Sequence, residues 1–197
     1  MSSPTRLSEA IDSAMADIAS IEAHASAGSL RLGEIEARLI ALARSATFAS
    51  MEPPAAGATG IYYVLSEPTD PPYGLYLNVA PAGNRAPPHC HGVWCVAVGF
   101  RGEETNRFYR FTAGQNGGAG NLDELESRVL APGAGMCMRA DDIHSVDVSG
   151  AGPVAHLHLY ARRLSQFPEL VVYDTATGSR RTAPAPVPKR LDSGAVN

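Results

Sequence analysis

The hydrophobic pattern divides the chain into a helical first quarter and a β-rich remainder. From residue 5 to about 27, Leu7, Ile11, Met15, Ile18 and Ile21 recur at spacings of three and four, with Glu9, Asp12, Asp17 and Glu22 between them. That period predicts an amphipathic helix. Gly28-Ser29 interrupts it, and Ile35, Leu39, Ile40 and Leu42 carry a second helical stripe in which Glu34 and Arg38 are spaced for an i,i+4 ion pair. Both stripes read as surfaces for packing on a sheet, and His24 reads as a solvated side chain.

The period changes after residues 51–60, whose Pro and Gly content reads as a linker. Residues 61–65 and 73–80 read as strands, with Pro68, Pro71 and Pro72 in the loop between them. Pro87-Pro88 cannot donate to a central ladder and is expected to mark the start of a strand, while 94–98 (W-C-V-A-V) reads as a buried one. Residues 107–111 are strand-like. The glycine-rich stretch 114–120 lacks the Lys-Ser/Thr ending of a phosphate cradle and reads as a surface turn. Further β segments are expected around 127–130, 135–139, 143–148, 154–160 and 170–173, a spacing that suits an antiparallel barrel. The tail through A-P-A-P-V-P (183–188) should be extended and lie outside the core. It is free to wrap the barrel or a second subunit, so a homo-oligomer is an open expectation.

Length and composition narrow this further. A chain of 197 residues suits one fold, divided here into a helical segment (1–50) packed on a barrel (60–175) and an extended tail (176–197). An apolar fraction of 45%, with 19 Gly and 15 Pro, favours short strands and many turns. A net charge of -4 without a Lys/Arg run argues against a nucleic-acid partner. Cys90, Cys95 and Cys137 form no CxxC pair and are odd in number, so reduced thiols are expected. With no signal-like N-terminus and no apolar window approaching ~18 residues, a membrane partner is not expected and a cytoplasmic location is.

The chemistry concentrates in histidines. Five of the six stand at 89, 91, 144, 156 and 158, all in the β region. In His89-Cys90-His91, alternation along a strand would bring both imidazoles to one face, where they can converge on a metal ion. His144, after the turn at Asp141-Asp142, is the best-spaced third ligand. In 154–160 (V-A-H-L-H-L-Y), His156, His158 and Tyr160 alternate with apolar residues and so share a face.

Gly83, five residues, His89-x-His91, three residues, Cys95, six residues and Gly102 together resemble the first motif of the cupins, with Cys95 where that motif has Glu. His144 occupies the place of the second-motif histidine, although Arg139 and Asp141 replace its usual Pro and Gly. Three histidines without the Glu resemble the thiol dioxygenase group, the cysteine dioxygenases and 3-mercaptopropionate dioxygenases. Residues Pro87 through Glu103 match the stretch P-x-H-x-H-G-x-W-x-V-x-x-G-x-x-G-x-E of the bacterial members, and His158 and Tyr160 match the His and Tyr of their Ser-x-His-x-Tyr triad, with His156 replacing the Ser.

The resemblance spans about 60–165 and implies a mainly β cupin fold, a double-stranded β-helix or jelly-roll barrel, behind two N-terminal α-helices. It implies Fe(II), or another divalent metal, on His89, His91 and His144, a small-molecule thiol and O2 as reactants, and catalytic roles for Tyr160, His158 and His156. Mammalian-type cysteine dioxygenases join a Cys to the active-site Tyr, which here would need Cys95 and Tyr160, one residue off the matching spacing. No Arg stands where the family places its carboxylate-binding residue: Tyr62-Tyr63 and Phe167-Pro168-Glu169 occupy those places. Arg162 and Arg163 are nearest, Arg85 and Arg139 are alternatives, and Tyr62, Tyr63, Trp94 and Cys95 complete the expected pocket. A cupin metalloenzyme acting on a non-thiol substrate and a non-catalytic metal-bound ligand-binding cupin are the other readings.

Overall fold

Both helical stripes form as their spacing predicts. In the computed structural model, which describes residues 4–24, 31–114, 119–167 and 169–191, α1 (Pro4–Ala23) buries Leu7, Ile11, Ala14, Met15 and Ile18. Helix α2 (Leu32–Arg44) buries Leu32, Ile35, Leu39, Leu42 and Ala43. The break expected at Gly28-Ser29, the centre of the 114–120 turn and Pro168 lie outside the described residues. His24 is exposed, and its Nδ1 donates to the Ser20 carbonyl at 2.7 Å. Glu34 and Arg38 do not pair with each other. Glu34 is held by Arg31, and Arg38 reaches Asp17 of α1 at 2.6 Å, because the packed helix offers a carboxylate across the interface. A third helix, absent from the sequence expectation, is the single turn α3 (Ala46–Ala49). Ser45 caps it by accepting from the Phe48 amide at 3.2 Å, which turns Phe48 edge-on against Phe100 at a centroid distance of 4.9 Å.

The described strands are β1 (Ile61–Ser66), β2 (Gly74–Ala80), β3 (Arg85–Cys90), β4 (Cys95–Arg101), β5 (Glu104–Thr112), β6 (Asn121–Leu130), β7 (Gly135–Met138), β8 (Ile143–Asp147), β9 (Val154–Tyr160), β10 (Leu170–Tyr173), β11 (Arg180–Ala183) and β12 (Lys189–Arg190). They make two six-stranded sheets, ordered β12-β1-β2-β9-β4-β7 and β11-β10-β3-β8-β5-β6. All the ladders are antiparallel apart from the β1–β12 pair. Consecutive strands repeatedly cross from one sheet to the other, which is the winding of a jelly-roll barrel.

Strand parity assigns each side chain to one of two cores. Leu75, Leu77, Val96, Val98, Leu157 and Leu159 face outward into a core shared with the helices. Tyr76, Cys95, Ala97, Phe108, Met136, Met138 and Tyr160 face the barrel interior. Helices thus cover the outside of the first sheet, which is why β2 and β9 are buried along their whole length. No helix among the described residues is long and apolar enough to cross a membrane.

Two strands depart from expectation. Pro87-Pro88 lies inside β3, which sits between β10 and β8. The β3–β8 register shifts between Ala86 and His89, and β10 pairs only with His89 and Cys90, so neither proline is asked for an amide proton. β6 begins at Asn121, well before 127, as a mostly exposed edge strand whose polar residues carry no alternation to read. The C-terminal segment adds β11 beside β10 and β12 beside β1, so the chain crosses from one sheet to the other between them, and Pro186 comes to line the barrel cavity.

Candidate metal centre

His89 lies near the end of β3, directly across the ladder from His144 of β8. Gly92, at φ 70°, turns the chain just beyond β3 and lets His91 fold back toward them. The ring centroids are 5.0 Å apart for His89–His91, 4.6 Å for His89–His144 and 5.1 Å for His91–His144. Their ligating nitrogens all lie within 4.8 Å of one another. Burial pushes all three imidazoles below the ordinary histidine value, which keeps them neutral at pH 7, the form that binds metal.

Hydrogen bonds fix the tautomers. The Pro87 carbonyl can only accept, so His89 Nδ1, 2.8 Å away, is the donor. Asn106 Nδ2 donates to Glu104 Oε1 at 3.0 Å, which turns Asn106 Oδ1 toward His144 Nδ1 at 2.9 Å, again making the ring nitrogen the donor. Both histidines therefore keep an unprotonated Nε2, and His144 Nε2 lies 3.4 Å from His91 Nε2. Three neutral imidazoles, two of them oriented through their second nitrogen, fit a divalent transition metal. Asn106→Ala should weaken metal binding by ~10–100-fold, the usual effect of losing an outer-shell partner, measured by competitive titration with a chromogenic chelator. Unchanged affinity would mean that packing alone orients His144.

The surrounding cavity has a volume of about 260 Å³, and its lining includes Tyr62, Asn78, Arg85, Glu104, His158 and Tyr160 as well as the three histidines. His158 Nδ1 lies 3.2 Å from the Tyr160 hydroxyl, which lies 3.5 Å from that of Tyr62. Burial, together with Tyr62 and Cys95, raises the Tyr160 hydroxyl well above the ordinary tyrosine value, so it remains protonated. Burial outweighs the Glu104 carboxylate at His158 and lowers that imidazole to about 4. Cys95 is the cross-strand partner of Tyr160 and shares its interior face.

Other residues expected in the pocket lie elsewhere. Tyr63 and Trp94 have the opposite strand parity and pack in the helix-facing core, Trp94 against Tyr73 at a centroid distance of 5.8 Å. Arg163 donates to the Pro68 carbonyl at 2.6 Å, and Arg162 and Arg139 are exposed. Arg85 is the one arginine lining the cavity among the described residues.

His156 is fully buried two positions before His158 on β9, with Nδ1 3.4 Å from Glu104 Oε2. Glu104 and Asn106 escaped the sequence reading. The signal was present: counted from Pro87, the acidic position ending the P-x-H-x-H-G motif falls on Glu104, not Glu103. Glu103 is exposed and Glu104 buried.

No family model matches the chain, and no curated protein matches its sequence. Solved structures similar to it include an RmlC-like cupin family protein with a double-stranded β-helix fold from Methanocaldococcus jannaschii, at 12% identity over 57% of this chain and 89% of that one, with a TM-score of 0.42. A cupin superfamily protein from Desulfitobacterium hafniense matches at 15% identity over 59% and 89%, with a TM-score of 0.43. The Cupin_2 domain of an XRE family transcriptional regulator from Enterobacter cloacae matches at 20% identity over 52% and 95%, with a TM-score of 0.38. The fold itself is a jelly-roll barrel of two six-stranded sheets.

Proposed function

We propose that the protein is a mononuclear non-haem Fe(II) thiol dioxygenase, which adds both atoms of O2 to the sulfur of a small thiol: RS⁻ + O2 → RSO2⁻. The observation that carries this reading is a neutral three-histidine face sharing one cavity with a tyrosine hydroxyl held by a second-row histidine. Bound Fe(II) would supply a Lewis-acidic, redox-active centre at which thiolate and O2 can react. His89, His91 and His144 would hold it without adding negative charge, which leaves its full charge available to an anionic sulfur. His158 fixes the Tyr160 hydroxyl, which can donate a hydrogen bond or proton within the cavity. The cavity walls would orient the reactants and limit the water around them.

A substrate carboxylate would meet Arg85, whose Nε stands 3.6 Å from Asp147 and whose side chain is 76% exposed. This is a looser clamp than a buried guanidinium and favours a substrate reaching toward the cavity mouth. It also favours a second reading, in which the metal serves a non-thiol substrate or a bound ligand without turnover.

The test is O2 consumption by anaerobically Fe(II)-loaded protein with cysteine, 3-mercaptopropionate, mercaptosuccinate, cysteamine and larger thiols, with His89→Ala as control. Uptake matched by sulfinate and lost in the variant would establish the class and name the substrate. Silence across the panel with iron bound would transfer the site to the second reading.

A further inference from the structure

Behind the three-histidine face lies a second group of ligand-type side chains. Glu104 stands at the start of β5 in one sheet, while His156 and His158 project from alternate positions of β9 in the other, so the three meet across the barrel. Their ligand atoms all lie within 4.8 Å of one another, and all three residues are buried.

The polar bookkeeping of this group does not close. Both ring nitrogens of His156 and Nε2 of His158 are buried without a hydrogen-bond partner. Glu104 has the Asn106 amide on Oε1 but only the poorly aligned His156 Nδ1, at 3.4 Å, near Oε2. Leaving a buried nitrogen unsatisfied is costly, so three of them in one spot call for a ligand.

We propose that Glu104, His156 and His158 form a second divalent-cation site, a two-histidine, one-carboxylate set separate from the three-histidine face. Such a donor set suits Zn(II), Mn(II), Fe(II) or Co(II). The cation would neutralise the buried carboxylate and take up the orphaned nitrogens. His158 is already arranged for this role, because its Nδ1 is engaged with Tyr160 and its Nε2 is free, the division of labour usual for a ligating histidine. His158 and Glu104 also line the cavity, which gives the ion a way in. Asn106 then joins the two sites, with its amide nitrogen on Glu104 and its oxygen on His144.

The experiment is metal stoichiometry on the full-length chain, stripped by chelator, dialysed against Zn(II) and analysed by mass spectrometry of the bound metal. The expected result is two Zn(II) per wild-type chain, one in Glu104→Gln, one in His156→Asn and one in the His89→Ala/His91→Ala double variant. Thermal unfolding of each apoprotein identifies any variant that has lost its fold. Should His156→Asn unfold, the near-isosteric Glu104→Gln carries the test. A Zn(II) count in folded Glu104→Gln equal to that of the wild type, whether one or two, would overturn the proposal and leave the group as an internal polar cluster. Neither result depends on whether the three-histidine site oxidises a thiol.

Discussion

His144→Ala is expected to remove high-affinity Fe(II) binding at the three-histidine face and, with it, O2 uptake. The loss should exceed the ~10–100-fold that follows removal of an outer-shell partner, because His144 is the one candidate ligand of the three that β8 supplies. Without it, His89 and His91 remain as neighbours from one end of β3, and two monodentate imidazoles hold a divalent ion weakly. Iron content after gel filtration and O2 uptake on an electrode would be measured together, with the unfolding midpoint recorded for the apoprotein. His144 is buried and stacks on Phe108 at a centroid distance of 6.1 Å, so some loss of stability is expected. Stability and metal content separate cleanly when both are measured without iron and then with it. Retention of one tightly bound iron together with activity in His144→Ala would move the reaction to another set of side chains, and among the described residues Glu104, His156 and His158 are the other such set.

The barrel was legible because its strands are short, apolar and punctuated by Gly and Pro, and the helices because their stripes hold a period of three and four. The three histidines were legible for a similar reason, since His89-x-His91 and a histidine after a turn are local patterns. What sequence could not supply was which face of a strand looks inward. β4 is apolar on both faces, so Trp94 and Cys95 look equivalent along the chain, yet one meets the helices and the other Tyr160. The same parity separates Tyr62 from Tyr63. Pro87-Pro88 misled because a proline is excluded from a regular ladder but not from a bulge. Asn106 carries no local signature at all: it matters through contacts with a residue two positions back on its own strand and a histidine on the next.

Tyr160→Phe should keep the metal and lose the chemistry. The ring is buried among Tyr76, His91 and Phe167, with centroids at 6.1, 5.3 and 5.0 Å, and phenylalanine preserves those contacts. Only the hydroxyl goes. His158 Nδ1 then loses its partner, a cost of about 1–3 kcal/mol for a buried donor, which should lower the unfolding midpoint without preventing folding. Iron content should match wild type because the oxygen is not among the ligands. If the hydroxyl supplies a hydrogen bond or proton in the rate-limiting step, kcat should fall by ~10²–10⁴ while KM for the thiol changes little. A tyrosine that merely caps the barrel predicts a different pair of results, a lower midpoint with kcat within a few-fold of wild type. Coupling to sulfinate distinguishes a further case: O2 uptake that persists while sulfinate yield drops would assign Tyr160 to directing oxygen onto sulfur and not to admitting it. His158→Gln, which keeps a donor near the hydroxyl, should then lose less activity than His158→Ala, because His158 acts on the reaction through the position of Tyr160.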